Sequence, residues 1–286
     1  MAQILIDGCV LSASYALIAL GITLIFSVMR LLNFAHGELF MIGAFMVYYV
    51  YGAWHLPFAA GLVVAAVVPA LIGAGFEKFL FRRVMRIATR EENTMLLAVG
   101  TAILLDNVAL FLFGEEQHGV PETVSGVLQI GGGFLPYQRL VVVIMSLALI
   151  ALLLGFVQFS RPGRAMRALA QDRDAALLMG VDVDRTSMLG FAIGAGLAGL
   201  AGGLLVTIQG VNAGIGVDIS IKAFIMIMIG GAGVVSGALL GALVLGFAES
   251  IGYSALPGSE TYLLIFVALV LFLIVRPQGI MGHPWG

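Results

Sequence analysis

The sequence predicts an all-α, polytopic integral membrane bundle, and two observations carry that prediction. The chain of 286 residues is 61% hydrophobic and only 10% charged, whereas soluble domains have about 25% charged residues. Apolar runs longer than the roughly 18–20 residues that cross a bilayer recur along the chain. The runs are continuous and lack the alternation of spanning β-strands, so the spans are expected to be helices.

Eight apolar segments are predicted, and together they form one transmembrane domain over residues 1–286. The seventh is the longest and is interrupted by GGAGVVSG (Gly230–Gly237), so we expect it to be broken or re-entrant there. No Lys or Arg precedes the first run, which is therefore expected to be a retained span rather than a signal peptide. The approximate limits are 4–28, 34–53, 57–80, 95–113, 139–158, 187–208, 222–252 and 260–275.

Lys and Arg are distributed asymmetrically around these segments. Two clusters, within 78–90 and 161–185, hold ten of the 14 basic residues, and the positive-inside rule places both in the cytoplasm. Alternating sides along the chain leaves only Arg139 and Lys222 outside. The N-terminus is then expected outside, and the seventh segment has to enter the membrane and return.

Glycine is the other strong signal, with 38 residues. Pairs such as Gly199 and Gly203 are four residues apart, and small residues at that spacing let membrane helices approach closely. Within GGAGVVSG an unwound backbone that lines a cavity is an equal alternative to close packing. Gly230 and Gly231 are therefore candidate pathway-lining residues.

The longest cytoplasmic loop, 160–187, carries helix signals of its own. Ser160 can cap a helix, Pro162 suits a first turn and Gly180 is a natural stop. A helix near 163–179 is therefore expected inside this loop.

Two arginines stand at the start of this predicted helix, where the helix dipole prefers acidic side chains. Arg164 and Arg167 lie in its first turns. Something outside the helix should compensate for that placement. Lipid phosphates would do so, and so would an acidic surface on a cytoplasmic partner.

Polar residues interrupt the apolar pattern in NFAHGELFMIGAF, at the start of the second span. An ionisable group inside a span is a functional candidate, so Asn33, His36 and Glu38 are candidate pathway-lining residues. The alternative is structural, because Asn33 can cap the helix and the positive helix end favours the Glu38 carboxylate. The charge pattern places the stretch just inside the membrane from a cytoplasmic turn at Arg30.

Three further polar residues lie within predicted spans. Asp106 and Asn107 are mid-span, where burial is costly without a partner, so they are either pathway residues or joined to another helix by a hydrogen bond. Glu249 is near the extracytoplasmic end of its span and is expected to be hydrated.

No catalytic, cofactor or metal-binding pattern is present in the sequence. His36 and Glu38 are two residues apart, unlike the i, i+4 histidines of a zinc helix, and the single cysteine, Cys9, excludes an internal disulfide. There is no G-x-x-x-x-G-K-[ST] phosphate loop. An enzyme is therefore not expected, and active transport would need an ion gradient or a separate ATPase.

Three stretches resemble a known family, in order and over nearly the whole chain. They are ALIALGITLIFSVMRLLNFAHGELFMIGAF, the loop and span that begin SRPGRAMRALAQDRDAALLMGVDVDRTS, and IMIGGAGVVSGALLGALVLG with the closing RPQGIMG. The chain resembles the membrane permease subunits of ABC importers for branched-chain amino acids, specifically the first of the two paired permeases.

The resemblance implies a bacterial-type inner-membrane assembly. Its expected partners are a second, similar permease, two cytoplasmic ATPases, an extracytoplasmic solute-binding protein and membrane lipid, with no nucleic acid. It also implies that 160–187 includes the helix that docks into the ATPase. On that basis the expected ATPase-docking residues are Arg164, Arg167, Asp172 and Arg173.

Similar permeases carry urea, short amides or other amino acids, so the resemblance leaves the substrate open among these and branched-chain amino acids. An ion-coupled transporter or a small-solute channel is the alternative function. Only buried acids such as Asp106 favour that alternative.

Overall fold

Helices dominate a computed structural model of the chain, which describes residues 1–87, 92–130 and 132–282. The predicted all-α class is confirmed. Arg90, one of the basic residues expected in the cytoplasm, lies outside the described residues. The α-helices are α1 (Ala2–Met29), α2 (His36–Val47), α3 (Phe58–Gly75), α4 (Arg82–Ile87), α5 (Glu92–Phe113), α6 (Tyr137–Phe159), α7 (Arg161–Gln171), α8 (Arg173–Leu178), α9 (Val183–Gln209), α10 (Ile215–Gly230), α11 (Val235–Ala255) and α12 (Gly258–Val275).

Two π-helical segments and one β-hairpin complete the described structure. Tyr48–Ala53 extends α2, and Phe76–Phe81 joins α3 to α4 into one continuous stretch. Strands β1 (Val127–Ile130) and β2 (Gly133–Pro136) pair in antiparallel fashion. Seven described helices, counting Phe58–Ile87 as one, are long and apolar enough to cross a membrane.

The centre of the bundle is formed by α1 and α9, with α2, α3, α10 and α11 packed around them. The apolar windows of α1 and α9 are each 78% buried within the chain, whereas that of α12 is only 11% buried. The predicted close approach at four-residue glycine spacing is confirmed, because a Cβ added at Gly43 would collide with the backbone of Gly199. An apolar, exposed outer face is what lipid-facing helices require.

The predicted break in the seventh segment is confirmed. Helix α10 ends at Gly230 and α11 begins at Val235. Between them Gly231 has a φ of 108°, a value that only glycine adopts without strain. The C-terminal tail covers this break, since the amide of Ile280 donates to the carbonyl of Ile229 at 2.8 Å.

Contacts at the two ends of the bundle group the loops as the charge pattern predicts. His118 and Val211, both in loops predicted to be outside, exchange two backbone hydrogen bonds of 2.8 Å. At the other end Arg86 contacts Asp184 at 2.5 Å, and both belong to loops predicted to be cytoplasmic. These contacts agree with the predicted alternation of spans.

The predicted single helix near 163–179 is wrong, because the loop folds as two short helices, α7 and α8. The chain is extended at Asp172, with φ −151° and ψ 115°. The Asp172 carboxylate accepts hydrogen bonds from the amides of Asp174 and Ala175 and so caps α8. Aspartate competes for backbone donors in this way and favours caps over helix interiors.

Candidate functional site

Helix α2 begins deep inside the bundle. The Nε2 atom of His36 lies 3.2 Å from the carbonyl oxygen of Ile18, in the middle of α1. Helix α1 continues from there to Met29. At a rise of about 1.5 Å per residue, Ile18 is about 16 Å from that end of the helix. The expectation that this stretch lies just inside the membrane from Arg30 is therefore wrong, because the non-helical residues 31–35 carry the chain back to the depth of Ile18.

Side chains satisfy the backbone of this re-entrant turn. The predicted capping role of Asn33 is wrong, because the residue that precedes α2 is Ala35. Asn33 Oδ1 instead accepts a hydrogen bond from the Ala35 amide at 3.2 Å, within the turn. The first turn of α2 is instead served by Ser220 of α10. Its hydroxyl accepts from the Gly37 amide and donates to the Phe34 carbonyl, each at 2.9 Å. One hydroxyl thus joins α2 to α10.

The Glu38 carboxyl lies between the first turns of α2 and α10. Glu38 is fully buried, and a Cβ added at Gly216 would collide with its carboxyl group. Within the described structure neither Glu38 oxygen has a hydrogen-bond partner, and the same holds for His36 Nδ1 and Asn33 Nδ2. The positive ends of two helices favour a carboxylate at this point. The three predicted residues are therefore fully buried at the start of α2, and each keeps a side-chain atom without a hydrogen-bond partner among the described residues.

The two predicted residues on α5 differ in their surroundings. Asp106 is half-buried, on a helix that contacts α2. Asn107 is exposed, and its side chain donates to the Ile103 carbonyl of the same helix at 2.8 Å. The expected bond between helices is therefore wrong for Asn107, which bonds its own helix one turn back.

The predicted glycines lie at the other end of α10. Gly230 packs against Gly237 of α11, and Gly231 packs against Gly282 of the C-terminal tail. Gly216, which contacts Glu38, is in the first turn of α10, and Gly230 is its last residue. At a rise of about 1.5 Å per residue, these two glycines are about 21 Å apart. The structure therefore does not bring Gly230 and Gly231 together with Glu38, and their contacts are those of close backbone packing.

A buried ion pair forms a polar cluster, which the sequence reasoning missed. Lys222 Nζ lies 3.0 Å from Glu249 Oε1, and Glu249 is only 1% exposed. The Tyr15 hydroxyl donates to Glu249 at 2.5 Å and accepts from Lys222 at 2.7 Å. The centre of the Tyr262 ring lies 5.0 Å from the ammonium group. Helices α1, α10, α11 and α12 therefore meet at one ammonium group.

Two expectations about this ion pair are wrong. Glu249 is not hydrated, because side chains of α1 and α10 contact it and leave it almost fully buried. The predicted start of the seventh segment at 222 is too late, because α10 begins at Ile215 and holds Lys222 in its interior. The sequence contained a signal for this ion pair, because Lys222 and Glu249 have opposite charges and lie in the two halves of the broken seventh segment. Pairing those halves would have brought the two charges toward each other.

The basic residues at the start of α7 bond the end of the preceding helix. Ser160 Oγ accepts from the Gly163 amide at 2.9 Å, which confirms the predicted cap. Arg164 and Arg167 each donate, at 3.1 Å, to the carbonyl oxygens of Phe159 and Gln158 at the end of α6. Cations are favoured at that negative helix end. The compensation expected from outside the helix therefore comes from the end of α6.

An ionic network ties the end of this loop to the end of α3. The Arg82 guanidinium binds the buried carboxylate of Glu77 and donates to the Asp184 carbonyl at 3.0 Å. Arg86 binds the Asp184 carboxylate. These side chains line a small cavity, and Arg173 also lines it. Because Asp184 lies in the first turn of α9, this network joins the end of the 160–187 loop to the stretch that follows α3.

These features define a class of protein, a polytopic membrane permease. Its spanning helices bury ionisable side chains between them, and such residues mark transport pathways in membrane proteins. In the part of the chain that the structure describes, no group of three or more His, Cys, Asp or Glu side chains could hold a metal ion.

Comparison with known proteins identifies the family. A family model described as branched-chain amino acid transport system / permease component matches residues 4–275, and the chain belongs to that family. It is 34% identical to the high-affinity branched-chain amino acid transport system permease protein LivH of Escherichia coli K12, over 99% of this chain and 96% of that protein. The resemblance found in the sequence is confirmed.

Two further relatives extend this comparison. BraD of Pseudomonas aeruginosa, another high-affinity branched-chain amino acid permease protein, is 32% identical over 99% of this chain and 96% of its own length. LivM of Escherichia coli is 26% identical over 96% of this chain and 69% of its own length. No solved structure matches the chain. The protein is thus a multi-pass transport subunit of the inner membrane.

Proposed function

We propose that the chain is the membrane permease subunit of an ATP-driven importer that moves branched-chain amino acids into the cytoplasm. The observation that carries this proposal is the similarity to LivH and BraD, at 34% and 32% identity over nearly the whole of each protein. The bundle agrees with it in physical terms. Buried polar groups lie between the spans, and a separate pair of short helices follows α6 at the end predicted to be cytoplasmic.

We infer a set of partners for this subunit. The additional similarity to LivM supports a second permease of the same family beside this chain. Since the sequence holds no phosphate loop, two cytoplasmic ATPases would supply the energy, and an extracytoplasmic binding protein would deliver the amino acid. ATP binding would move the docking loop, and the paired permeases would then alternate access around a shared pathway.

The docking role of residues 160–187 has a direct test. Arg164 and Arg167 point their charges at α6, so Arg164→Glu with Arg167→Glu would remove the contacts that fix α7 in place. We expect the ATPase to co-purify much less well while membrane insertion is retained. Arg185→Glu is the matched control, since its only carboxylate partner among the described residues is Asp182 in the same turn. ATPase retained at full affinity by the double variant would contradict the docking role.

The pathway is proposed to pass four polar residues, Asn33, His36, Glu38 and Asp106. The Glu38 carboxyl lies beside Gly216 of α10, and the His36 ring contacts the middle of α1. Asn33, His36 and Glu38 each keep an atom that could bond a solute. Asn107, Gly230 and Gly231 are not included in the proposed pathway. Opening of the α2–α10 contact would expose the Glu38 carboxyl to a passing solute.

Reconstitution tests the proposed function. The chain, co-expressed with its partner permease, the ATPases and the binding protein, should take up leucine into proteoliposomes only when ATP is supplied. An ATPase variant that binds but does not hydrolyse ATP is the control. Uptake by the purified chain alone would refute the proposal. Urea and short amides belong in the same assay, because permeases similar to this one carry them.

Two acids within the spans, the fully buried Glu38 and the half-buried Asp106, favour one competing function, an ion-coupled transporter. That function predicts uptake driven by a proton or sodium gradient without ATP. Asp106→Asn would abolish such uptake. In the importer, by contrast, ATP-dependent uptake should persist when both gradients are dissipated.

A further inference from the structure

The stretch from α3 to α4 is longer than a membrane span. Phe58–Ile87 has 30 residues. At about 1.5 Å per residue, a helix of that length is about 45 Å long. The hydrocarbon core of a bilayer is only about 30 Å thick. A helix that enters the core at Phe58 crosses it within about 20 residues, so residues 78–87 reach the level of the lipid head groups, on the side that the charge pattern assigns to the cytoplasm.

A basic groove opens at this level. It is lined by Lys78, Arg82, Arg83, Arg86 and Ile87. We call this set the basic groove. Its four cations share a small open surface at the membrane boundary.

Two of the four cations in the basic groove have carboxylate partners. Arg82 and Arg86 face the carboxylates of Glu77 and Asp184. Lys78 and Arg83 are exposed, and among the residues described neither has a carboxylate partner. Within the described part of the chain, the groove therefore presents two exposed cations that are free to bind an anion.

Large apolar side chains flank these charges. Phe79 is 67% exposed and Ile87 is 73% exposed, and the Lys78 ammonium lies 5.3 Å from the centre of the Phe79 ring. A surface that faced only water would not combine two such side chains with a row of cations. A surface at the head-group boundary does, because apolar side chains meet the acyl region and long basic side chains reach the phosphates.

We propose that the basic groove binds the head group of an anionic phospholipid of the cytoplasmic leaflet. Lys78 and Arg83 would bind the phosphate, and Phe79 and Ile87 would contact the upper acyl chains. Arg82 is held by Glu77 and Asp184, so a lipid in the groove would lie directly beside the link between α3 and the docking loop. The inference is independent of what the permease transports.

Lipid retention tests the proposal. The full chain, purified in mild detergent and exchanged into nanodiscs of phosphatidylcholine with a few per cent phosphatidylglycerol, should retain phosphatidylglycerol preferentially by native mass spectrometry. Lys78→Gln with Arg83→Gln should weaken that retention on the order of 10- to 30-fold, because each basic residue near an anionic surface contributes roughly a factor of five. Raised salt should weaken it too.

Two further variants make the test specific. Arg161→Gln with Arg276→Gln removes the same charge from exposed cytoplasmic positions outside the groove and should leave retention unchanged. Lys78→Arg with Arg83→Lys keeps the charge and should keep the lipid. Equal loss in the Arg161 and Arg276 variant would overturn the proposal, since the effect would then be net charge. The proposal is also overturned if Lys78→Gln with Arg83→Gln leaves lipid retention unchanged but reduces ATPase co-purification. That result would assign the groove to a protein partner.

Discussion

The buried ion pair of Lys222 and Glu249 allows a quantitative prediction. Lys222→Met removes the ammonium group but keeps a long apolar side chain of similar shape. Glu249, 1% exposed, would be left with the Tyr15 hydroxyl as its remaining donor among the described residues. We expect this single substitution to destabilise the bundle strongly, because the partner charge stays buried.

The magnitude follows from the geometry of the pair. Removing one partner of a buried ion pair costs about 3–5 kcal/mol. The short bond from Tyr15 keeps part of the carboxylate satisfied. A loss at the lower end of that range, about 3 kcal/mol, is therefore expected. The double substitution, Lys222→Met with Glu249→Leu, removes both charges and should return to within about 1 kcal/mol of the native stability.

The free energy of unfolding in mixed micelles, followed by titration with a denaturing detergent, measures these differences. Arg276→Met is the control, since Arg276 is exposed and lacks a carboxylate partner among the described residues; it should change the stability little. The reasoning is refuted if Lys222→Met and Glu249→Leu, each made alone, are harmless. It is equally refuted if the double substitution costs as much as the sum of the singles, because no coupling would then exist.

Three other predictions use the same measurement or a simpler one. Ser220→Ala leaves the Gly37 amide without its acceptor. That loss should cost about 1–2 kcal/mol, with a smaller cost for the control that keeps the hydroxyl, Ser220→Thr. Gly199→Val places side-chain atoms on the backbone of α3 and should abolish folded protein in size-exclusion chromatography, whereas substitution of Gly75, which has open space around it, should be tolerated. Gly231→Ala forces a Cβ into the tail at a φ of 108°. Because that conformation is strained for alanine, cleavage by protease near residue 280 should increase, and an unchanged digestion pattern would argue against a role of the tail in covering the break.

The elements that could be predicted from sequence are those whose cause is local. Continuous apolar runs predicted the spanning helices, and the clustered glycines predicted the break at Gly231. The hydroxyl of Ser160 predicted a cap that the structure contains. In each case the residue and the backbone it governs lie within a few positions of one another. Composition and short-range pattern are enough for features of that kind.

The polar clusters could not be predicted in the same way, because their partners are distant in sequence. Ser220 serves a helix turn that lies 183 positions earlier, and Lys222 meets Glu249 across a glycine break. Hydropathy also treats lipid and protein interior alike, so it does not reveal that other helices cover Glu249. The same reasoning bears on Glu38. Its burial against Gly216 and its lack of hydrogen-bond partners among the described residues are properties of several helices together, so the residues around it in sequence did not reveal them.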